Sequence, residues 1–327
     1  MSGWYVTTND IRNWTETNKR QSEETLPLLV KKLILASCQP KRLRIPSGDG
    51  IALPGWDGNL EVNEGNRFIP AGISCWEFGS DRNVKKKAEE EYSKRLSETE
   101  VSELDTTTFV FVTSRLWTKR DDWVNEKILD NKWKDVQGID AETLADWLED
   151  CPSVHRWFSQ VIGKRCPDIW DIEEAWTAFS NQTSTPLTQD FLLHGREEES
   201  ESLLNLIFSN AQHLIKSNSK KEAYGFILAT LLNNEEANCR CLIIQSQQAW
   251  NDMAASKQSL ILIPDGFLPD SVGFATAKGH TVLLAIDDKD ARRSPIELKR
   301  QTRLDREEGL KKLWSDNSKD RDEKARI

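Results

Sequence analysis

The stretch Pro54-Gly55-Trp56-Asp57-Gly58, followed by Ser74-Cys75-Trp76-Glu77-Phe78-Gly79, decides the fold of the N-terminal half of the chain. The first segment is a glycine-flanked turn that carries an acid, and the second closes a short apolar strand with another acid. A charged helix is predicted directly afterwards, and its first turn carries three consecutive lysines at residues 85–87. Two acids and a lysine are therefore predicted to converge at the end of a small sheet.

This combination of side chains predicts a metal-dependent phosphodiesterase site. Two carboxylates, Asp57 and Glu77, can hold Mg²⁺ or Mn²⁺ while water and phosphate oxygens fill the remaining positions. Glu77 follows an apolar strand, where a carboxylate without a partner is costly, so an adjacent cation or lysine is expected. An Asp beside Gly58 is also a common turn former, which is the simpler interpretation of Asp57.

The identity of the catalytic lysine is left open by the sequence. A strand motif of the form (D/E)-x-K would place the lysine at position 79, where this chain has Gly79. Successive helix residues point about 100° apart, so only one of the three helix lysines can face a metal. Lys87 is favoured because Val84 and Ala88 are predicted to pack on the sheet beside it, and Lys86 is the second choice.

The charge pattern allows local contacts with phosphate in an acidic chain. The net charge is -9 over 327 residues, which argues against a generally basic nucleic-acid coat protein but not against a nuclease. Basic residues near the predicted site are candidates for binding a nucleic-acid backbone without reading its sequence: Lys86, Arg95, Arg115 and Lys119.

Tryptophan usage predicts two domains. Of the 13 tryptophans, all but Trp250 and Trp314 lie at or before Trp176, and a polar linker-like stretch follows at residues 180–186. The predicted organisation is a first domain over 1–165, a linker over 166–190, a second domain over 191–314 and a polar tail over 315–327.

The predicted elements make both domains α/β. In the first domain, a helix over 22–37 precedes short strands, a helix over 83–96, a strand over 106–113 and further helices, which indicates an α/β sandwich. In the second domain, strands over 213–216, 239–245, 259–264 and 281–286 alternate with helices, which indicates a parallel sheet covered by helices.

Several separated motifs together resemble one known family. Residues 1–165 resemble the N-terminal PD-(D/E)xK nuclease effector region, Mrr-like in type, of large bacterial antiviral STAND NTPases (Avs-type). The resemblance implies a restriction-endonuclease-like fold and an Mg²⁺-dependent DNA endonuclease in antiphage defence, in which Asp57 and Glu77 bind metal and Lys87 assists the water. It also implies a homo-oligomer or a larger STAND-type assembly. The matching segments are LPLL (26–29), PGWDG (54–58), ISCWEFG (73–79), KA (87–88) with Tyr92 and Arg95, FVTSR (111–115) with Trp117, DAETLADWLE (140–149) and VHRW (154–157).

The second domain resembles the region that follows such nucleases, but it lacks the phosphate-binding loop. Residues 192–197 resemble the beginning of a STAND-type region, and residues 260–265 resemble a Walker B strand. The pattern G-x-x-x-x-G-K-[ST] is absent, and residues 216–223 stand at its place without a glycine. The sequence therefore predicts a degenerate Rossmann/P-loop-like domain that lacks a Walker A motif and serves for contacts. Neither ATP binding nor ATP hydrolysis is expected of this domain.

An alternative interpretation is a catalytically inactive nuclease-like scaffold that binds protein partners, and Gly79 is the residue in its favour. No apolar run approaches the length of about 18 residues that a membrane helix needs. The N-terminus lacks a basic segment followed by an apolar core, so no secretory signal is predicted and a cytoplasmic location is expected.

Overall fold

The structure is a computed structural model that describes residues 4–46, 56–289, 296–301, 305 and 307–311. It divides into two compact units, Met1–Arg165 (unit 1) and Cys166–Ile327 (unit 2), each with its own sheet and core. Both units are α/β. Among the described residues, no helix has both the length and the apolar character that crossing a membrane requires.

Unit 1 is a five-stranded mixed sheet with helices on both faces. The strands lie in the order β1-β2-β3-β4-β5, with antiparallel pairing from β1 to β3 and parallel pairing from β3 to β5. Its strands are β1 Arg42–Arg44, β2 Gly58–Val62, β3 Gly72–Phe78, β4 Thr107–Val112 and β5 Asp135–Ile139. Its helices are α1 Thr8–Thr17, α2 Lys19–Ser37, α3 Val84–Glu98, α4 Val101–Leu104, α5 Arg120–Leu129, α6 Ala141–Asp150 and α7 Pro152–Val161.

Strand β4 lies in the centre of unit 1 and is buried along its whole length, as its β-branched and aromatic residues predict. Its side chains alternate between the two faces of the sheet. Phe109 and Phe111 join a core with residues of α3 and α5. On α6, Trp147 contacts Trp76 of β3, with 6.5 Å between ring centroids. The sheet is therefore held between two helical layers.

Unit 2 is a six-stranded sheet in the order β11-β7-β10-β9-β8-β6. Every pair in it is parallel except β6 with β8. Its strands are β6 Ile169–Trp170, β7 Gln212–Lys216, β8 Cys241–Ile244, β9 Ile261–Pro264, β10 Thr281–Ile286 and β11 Ile296–Glu297. Its helices are α8 Ile172–Ser180, α9 Gln189–Leu193, α10 Glu197–Leu204, α11 Lys220–Leu232, α12 Glu235–Asn238, α13 Gln247–Ala254 and α14 Val272–Ala277.

The stretch predicted as a linker, 166–190, is instead part of unit 2. It contains β6, which extends the sheet, and α8, whose apolar side chains Ile172, Ala175 and Phe179 lie in the core. Phe179 packs so closely on Gly225 of α11 that a Cβ there would lie 2.3 Å from Phe179 Cζ. The helical spacing of these apolar residues in the sequence was the available signal for α8.

Some predicted features fall wholly or partly outside the described residues. The start of the first decisive stretch, Pro54-Gly55, and the polar tail 315–327 lie outside them. Near the end of the predicted second domain, residues 305 and 307–311 are helical.

Candidate active site

Asp57 and Glu77 lie next to each other at one edge of the unit 1 sheet. Because β2 runs antiparallel to β3, the residue before β2 lies beside the end of β3. The backbone N–H of Phe78 donates to Asp57 Oδ2 at 3.1 Å, and the backbone N–H of Asp57 lies 3.5 Å from Glu77 Oε1. Pairing of the two strands therefore brings together two acids that the sequence separates.

Glu77 is buried, with 1% of its side chain exposed, and it has a cationic partner. Arg95 of α3 donates from Nε to Glu77 Oε1 at 2.6 Å. Burial, followed by the charge of Asp57, raises the pKa of Glu77 to about 8, while Arg95 acts in the opposite direction. Two adjacent carboxylates disfavour each other's ionisation, and a further cation beside them would offset that repulsion.

Lys87 reaches the same edge from the first turn of α3. Its stem passes over Gly79, where a Cβ would lie 2.9 Å from Lys87 Cγ. The side chain thus occupies the space above the position at which a strand motif would place the lysine. Lys87 Nζ donates to Glu91 Oε1 at 2.6 Å. Burial alone would lower the pKa of Lys87, but Glu91 and then Asp81 outweigh it, so the pKa is raised.

A cavity of about 230 Å³ opens where these elements meet. Asp57 and Lys87 line it together with Gly79, and α2 supplies Glu23 on the other side. Glu23 is fixed by a hydrogen bond from Ser80 Oγ at 2.8 Å. The cavity is therefore a polar recess with one amine and at least two carboxylates on its walls.

The donor atoms suit a hard divalent cation that keeps most of its water. The described residues contain no cluster of three or more His, Cys, Asp or Glu side chains placed to share a metal. Mg²⁺ is usually bound by only one or two carboxylates, with waters and substrate phosphates completing its octahedron. Glu91 Oε2 is buried and has no hydrogen-bond partner among the described residues, which leaves an additional anionic oxygen near the pair. Asp57 and Glu77 thus supply carboxylate oxygens of the kind that such an ion accepts.

The other basic candidates lie in different surroundings. Lys86 is 71% exposed on the outer side of α3, where it lies 3.7 Å from Glu90. Lys119 is exposed immediately before α5. Arg115 follows β4 at the same edge as the acids, is partly buried, and donates from Nε to the carbonyl of Ser80. These three residues remain accessible at or near the edge that carries Asp57.

Arg95 does not fit its predicted role as a contact for a nucleic-acid backbone. Its side chain is only 4% exposed and is shared between Glu77 and Glu98. Its guanidinium also lies over the ring of Trp56, 5.0 Å from the centroid. The sequence suggests a phosphate ligand because the residue is basic, but the buried carboxylate of Glu77 takes this cation.

Two acidic residues of the site, Glu91 and Glu23, were not predicted from the sequence. Glu91 stands four residues after Lys87, a spacing at which helix side chains meet, so its pairing could have been predicted. Glu23 comes from α2 and reaches the cavity only through the tertiary fold, and no local pattern signals it.

The residues at the predicted phosphate-loop position in unit 2 form a closed polar network. Only residues 217–219 connect β7 to α11, and Ser219 caps the helix by accepting from the Glu222 backbone N–H. The Glu222 carboxylate accepts hydrogen bonds from Ser217 Oγ and from the buried Arg196. A carboxylate therefore stands at the start of this helix.

Comparison with known proteins does not assign this chain to a family. Neither a scan against protein-family models nor a search of curated proteins finds a match to this chain.

Proposed function

We propose that unit 1 is a metal-dependent DNA endonuclease domain with a restriction-endonuclease-like sandwich. Asp57 and Glu77 bind Mg²⁺ or Mn²⁺, and Lys87 assists the attacking water. One observation carries this proposal: Asp57 contacts Glu77 and lines the same cavity as Lys87, although the three residues come from different elements. The raised pKa of the Glu77 carboxyl supports it, because groups whose pKa is perturbed by burial and by a specific charged neighbour are concentrated at functional sites.

The residues of the chain have distinct tasks in this mechanism. A bound Mg²⁺ would polarise the scissile phosphate and acidify a water. Glu77, whose pKa is raised, would release its proton to water so that its carboxylate could hold the ion, and Arg95 would keep that carboxylate in place. Lys87 Nζ, now paired with Glu91, donates to a phosphate oxygen or to the attacking water, so an incoming phosphate competes with Glu91 for this amine.

Cleavage of supercoiled plasmid in Mg²⁺ or Mn²⁺ tests the proposal, with an RNA substrate in parallel. Asp57→Asn, Glu77→Gln and Lys87→Gln are each expected to slow single-turnover cleavage by about 10²-fold or more. Lys132→Gln is the matched control, because Lys132 is exposed and precedes β5 at the opposite edge of the sheet. Cleavage that is unchanged in the Asp57 and Glu77 variants contradicts the site assignment.

A second candidate function is a non-catalytic scaffold. The observation in its favour is that the central charges already have partners, Glu77 with Arg95 and Lys87 with Glu91. Such pairs can simply hold α3 on the sheet. A wild-type chain that cleaves neither DNA nor RNA with either metal supports this candidate.

The remaining parts of the proposal rest on the sequence. They are a role in antiphage defence, a cytoplasmic location, backbone contacts with DNA through Lys86, Arg115 and Lys119, and assembly into a homo-oligomer or a larger STAND-type complex. For unit 2 we propose a Rossmann/P-loop-like domain without a Walker A motif. The parallel order β11-β7-β10-β9-β8 and the short β7–α11 connection support it.

A further inference from the structure

Unit 2 contains a cavity of about 580 Å³ whose lining residues all belong to this unit. It lies at the carboxyl ends of β9 and β10 and is covered by α8 and α11. In open parallel sheets, ligands bind in the crevice outside the carboxyl ends of the strands. The volume also falls in the range of about 300–1,000 Å³ that is typical of small-molecule sites.

The walls of this cavity are largely aromatic. Trp170 of β6, Phe179 of α8, Tyr224 of α11 and Phe267 after β9 all line it. The rings of Phe179 and Tyr224 meet edge to face, with centroids 6.0 Å apart. The exposed Ala178 leaves space beside them. Flat walls of this kind favour a planar aromatic group, which can stack or pack edge-on against them.

Basic and acidic side chains line different parts of the cavity wall. Lys220 and Lys221 begin α11, where the helix dipole also favours an anion. Asp265 follows β9 and accepts a hydrogen bond from the Tyr224 hydroxyl, and burial followed by Asp265 raises the pKa of Tyr224. The cavity thus offers cations for an anionic group and a carboxylate for hydroxyl or amino donors.

The start of α11 excludes the wrapped triphosphate of a P-loop. Residues 217–219 are too few to encircle phosphates, and they contain no glycine. The Glu222 carboxylate, held by Ser217 and Arg196, would repel phosphates placed over the helix axis. Glu222 does not line the cavity, whereas Lys220 and Lys221 do, so a single phosphate in the cavity can pair with these lysines.

We infer that this cavity binds a nucleoside monophosphate, independently of metal. Its base packs among Trp170, Phe179 and Tyr224. Its phosphate pairs with Lys220 or Lys221, and its sugar hydroxyls donate to Asp265. The inference does not depend on the nuclease activity proposed for unit 1.

Isothermal titration calorimetry on the full chain tests this inference. The ligands are AMP, GMP, CMP and UMP, their nucleosides, inorganic phosphate, and ATP with and without Mg²⁺. Lys221→Glu reverses a charge at the phosphate position, and Ala178→Trp fills the space between the aromatic walls. Lys257→Glu is the control, because Lys257 is exposed before β9, at the opposite edge of the sheet. Circular dichroism establishes that each variant is folded.

At least one monophosphate is expected to bind without Mg²⁺, more tightly than its nucleoside or phosphate. Lys221→Glu and Ala178→Trp should each weaken that binding by about tenfold or more, equivalent to one unit in log Kd, while Lys257→Glu leaves it unchanged. Three results overturn the inference: no binding of any monophosphate at millimolar concentration, equal affinity in all variants, or binding that requires both a triphosphate and Mg²⁺.

Discussion

Replacing Gly79 by alanine should displace the candidate catalytic lysine without touching either acid. The added Cβ would lie 2.9 Å from both Lys87 Cγ and Phe111 Cζ, whereas ordinary contacts begin at 3.4 Å. A shift of 3.4 − 2.9 = 0.5 Å is therefore needed. Phe111 is fully buried in the core and cannot yield easily, so the Lys87 stem moves.

The size of both effects follows from this geometry. Half an ångström at Cγ becomes about 1 Å at Nζ, three bonds further out, and a misplacement of that size costs roughly 10²-fold in rate. Overpacking of this kind also destabilises a fold by about 1–3 kcal/mol.

Single-turnover plasmid cleavage and urea unfolding measure the two effects separately. Gly273→Ala is the matched control, because its Cβ meets nothing within 4 Å and it lies in helix α14, where alanine is the better helix former. The reasoning fails if Gly79→Ala unfolds at the same urea concentration as the wild type. It also fails if a destabilised Gly79→Ala cleaves at the wild-type rate.

Three further predictions concern stability. Burial lowers the pKa of His155 to about 4 from 6.5, so the unfolded chain binds this proton first as the pH falls. Between pH 6.5 and 4 His155 should therefore remove up to about 3 kcal/mol of stability from unit 1, measured by urea unfolding as the difference between the wild type and His155→Gln. Gly225→Ala should destabilise unit 2 by about 1–3 kcal/mol despite its better helix propensity, since its Cβ would meet Phe179; thermal unfolding checks this. Arg95→Gln should cost about 3 kcal/mol at about pH 9, above the pKa of about 8 at which Glu77 ionises, because the buried carboxylate then loses its partner, as denaturant titration can measure.

Each of these predictions has a contrary outcome. An unchanged pH dependence in His155→Gln contradicts the first, because the titrating group would have been removed without effect. A Gly225→Ala variant as stable as the wild type contradicts the packing of α8 on α11. An Arg95→Gln variant that keeps full stability but binds DNA more weakly would restore Arg95 as a surface contact.

Local patterns predicted most of the elements because burial and propensity agree there. The short apolar stretch of β3 and the β-branched run of β4 formed strands as predicted. Asp140 caps α6 by accepting from the Thr143 backbone N–H. Helix α1 was not predicted, because its residues are mostly polar. The capping box formed by Thr7 and Asp10 was the available signal for its start.

The features of the site and fold that could not be predicted from the sequence depend on contacts between residues far apart in the chain. The need of Glu77 for a cation was predicted from its apolar strand, but the choice of Arg95 depends on how α3 lies across the sheet. The same packing directs Lys87 over Gly79 and leaves Lys86 outside. In unit 2, the edge strand β6 is only two residues long, too short to be recognised before its pairing with β8 is known.

Anomalous diffraction from a crystal soaked in Mn²⁺ tests most directly whether Asp57 and Glu77 share a divalent ion. The account predicts one strong peak at the edge where β2 begins and β3 ends, within about 2.5 Å of a carboxylate oxygen of each residue. A well-ordered map at saturating Mn²⁺ that shows no peak there, with only the Arg95 guanidinium beside the Glu77 carboxylate, would contradict it.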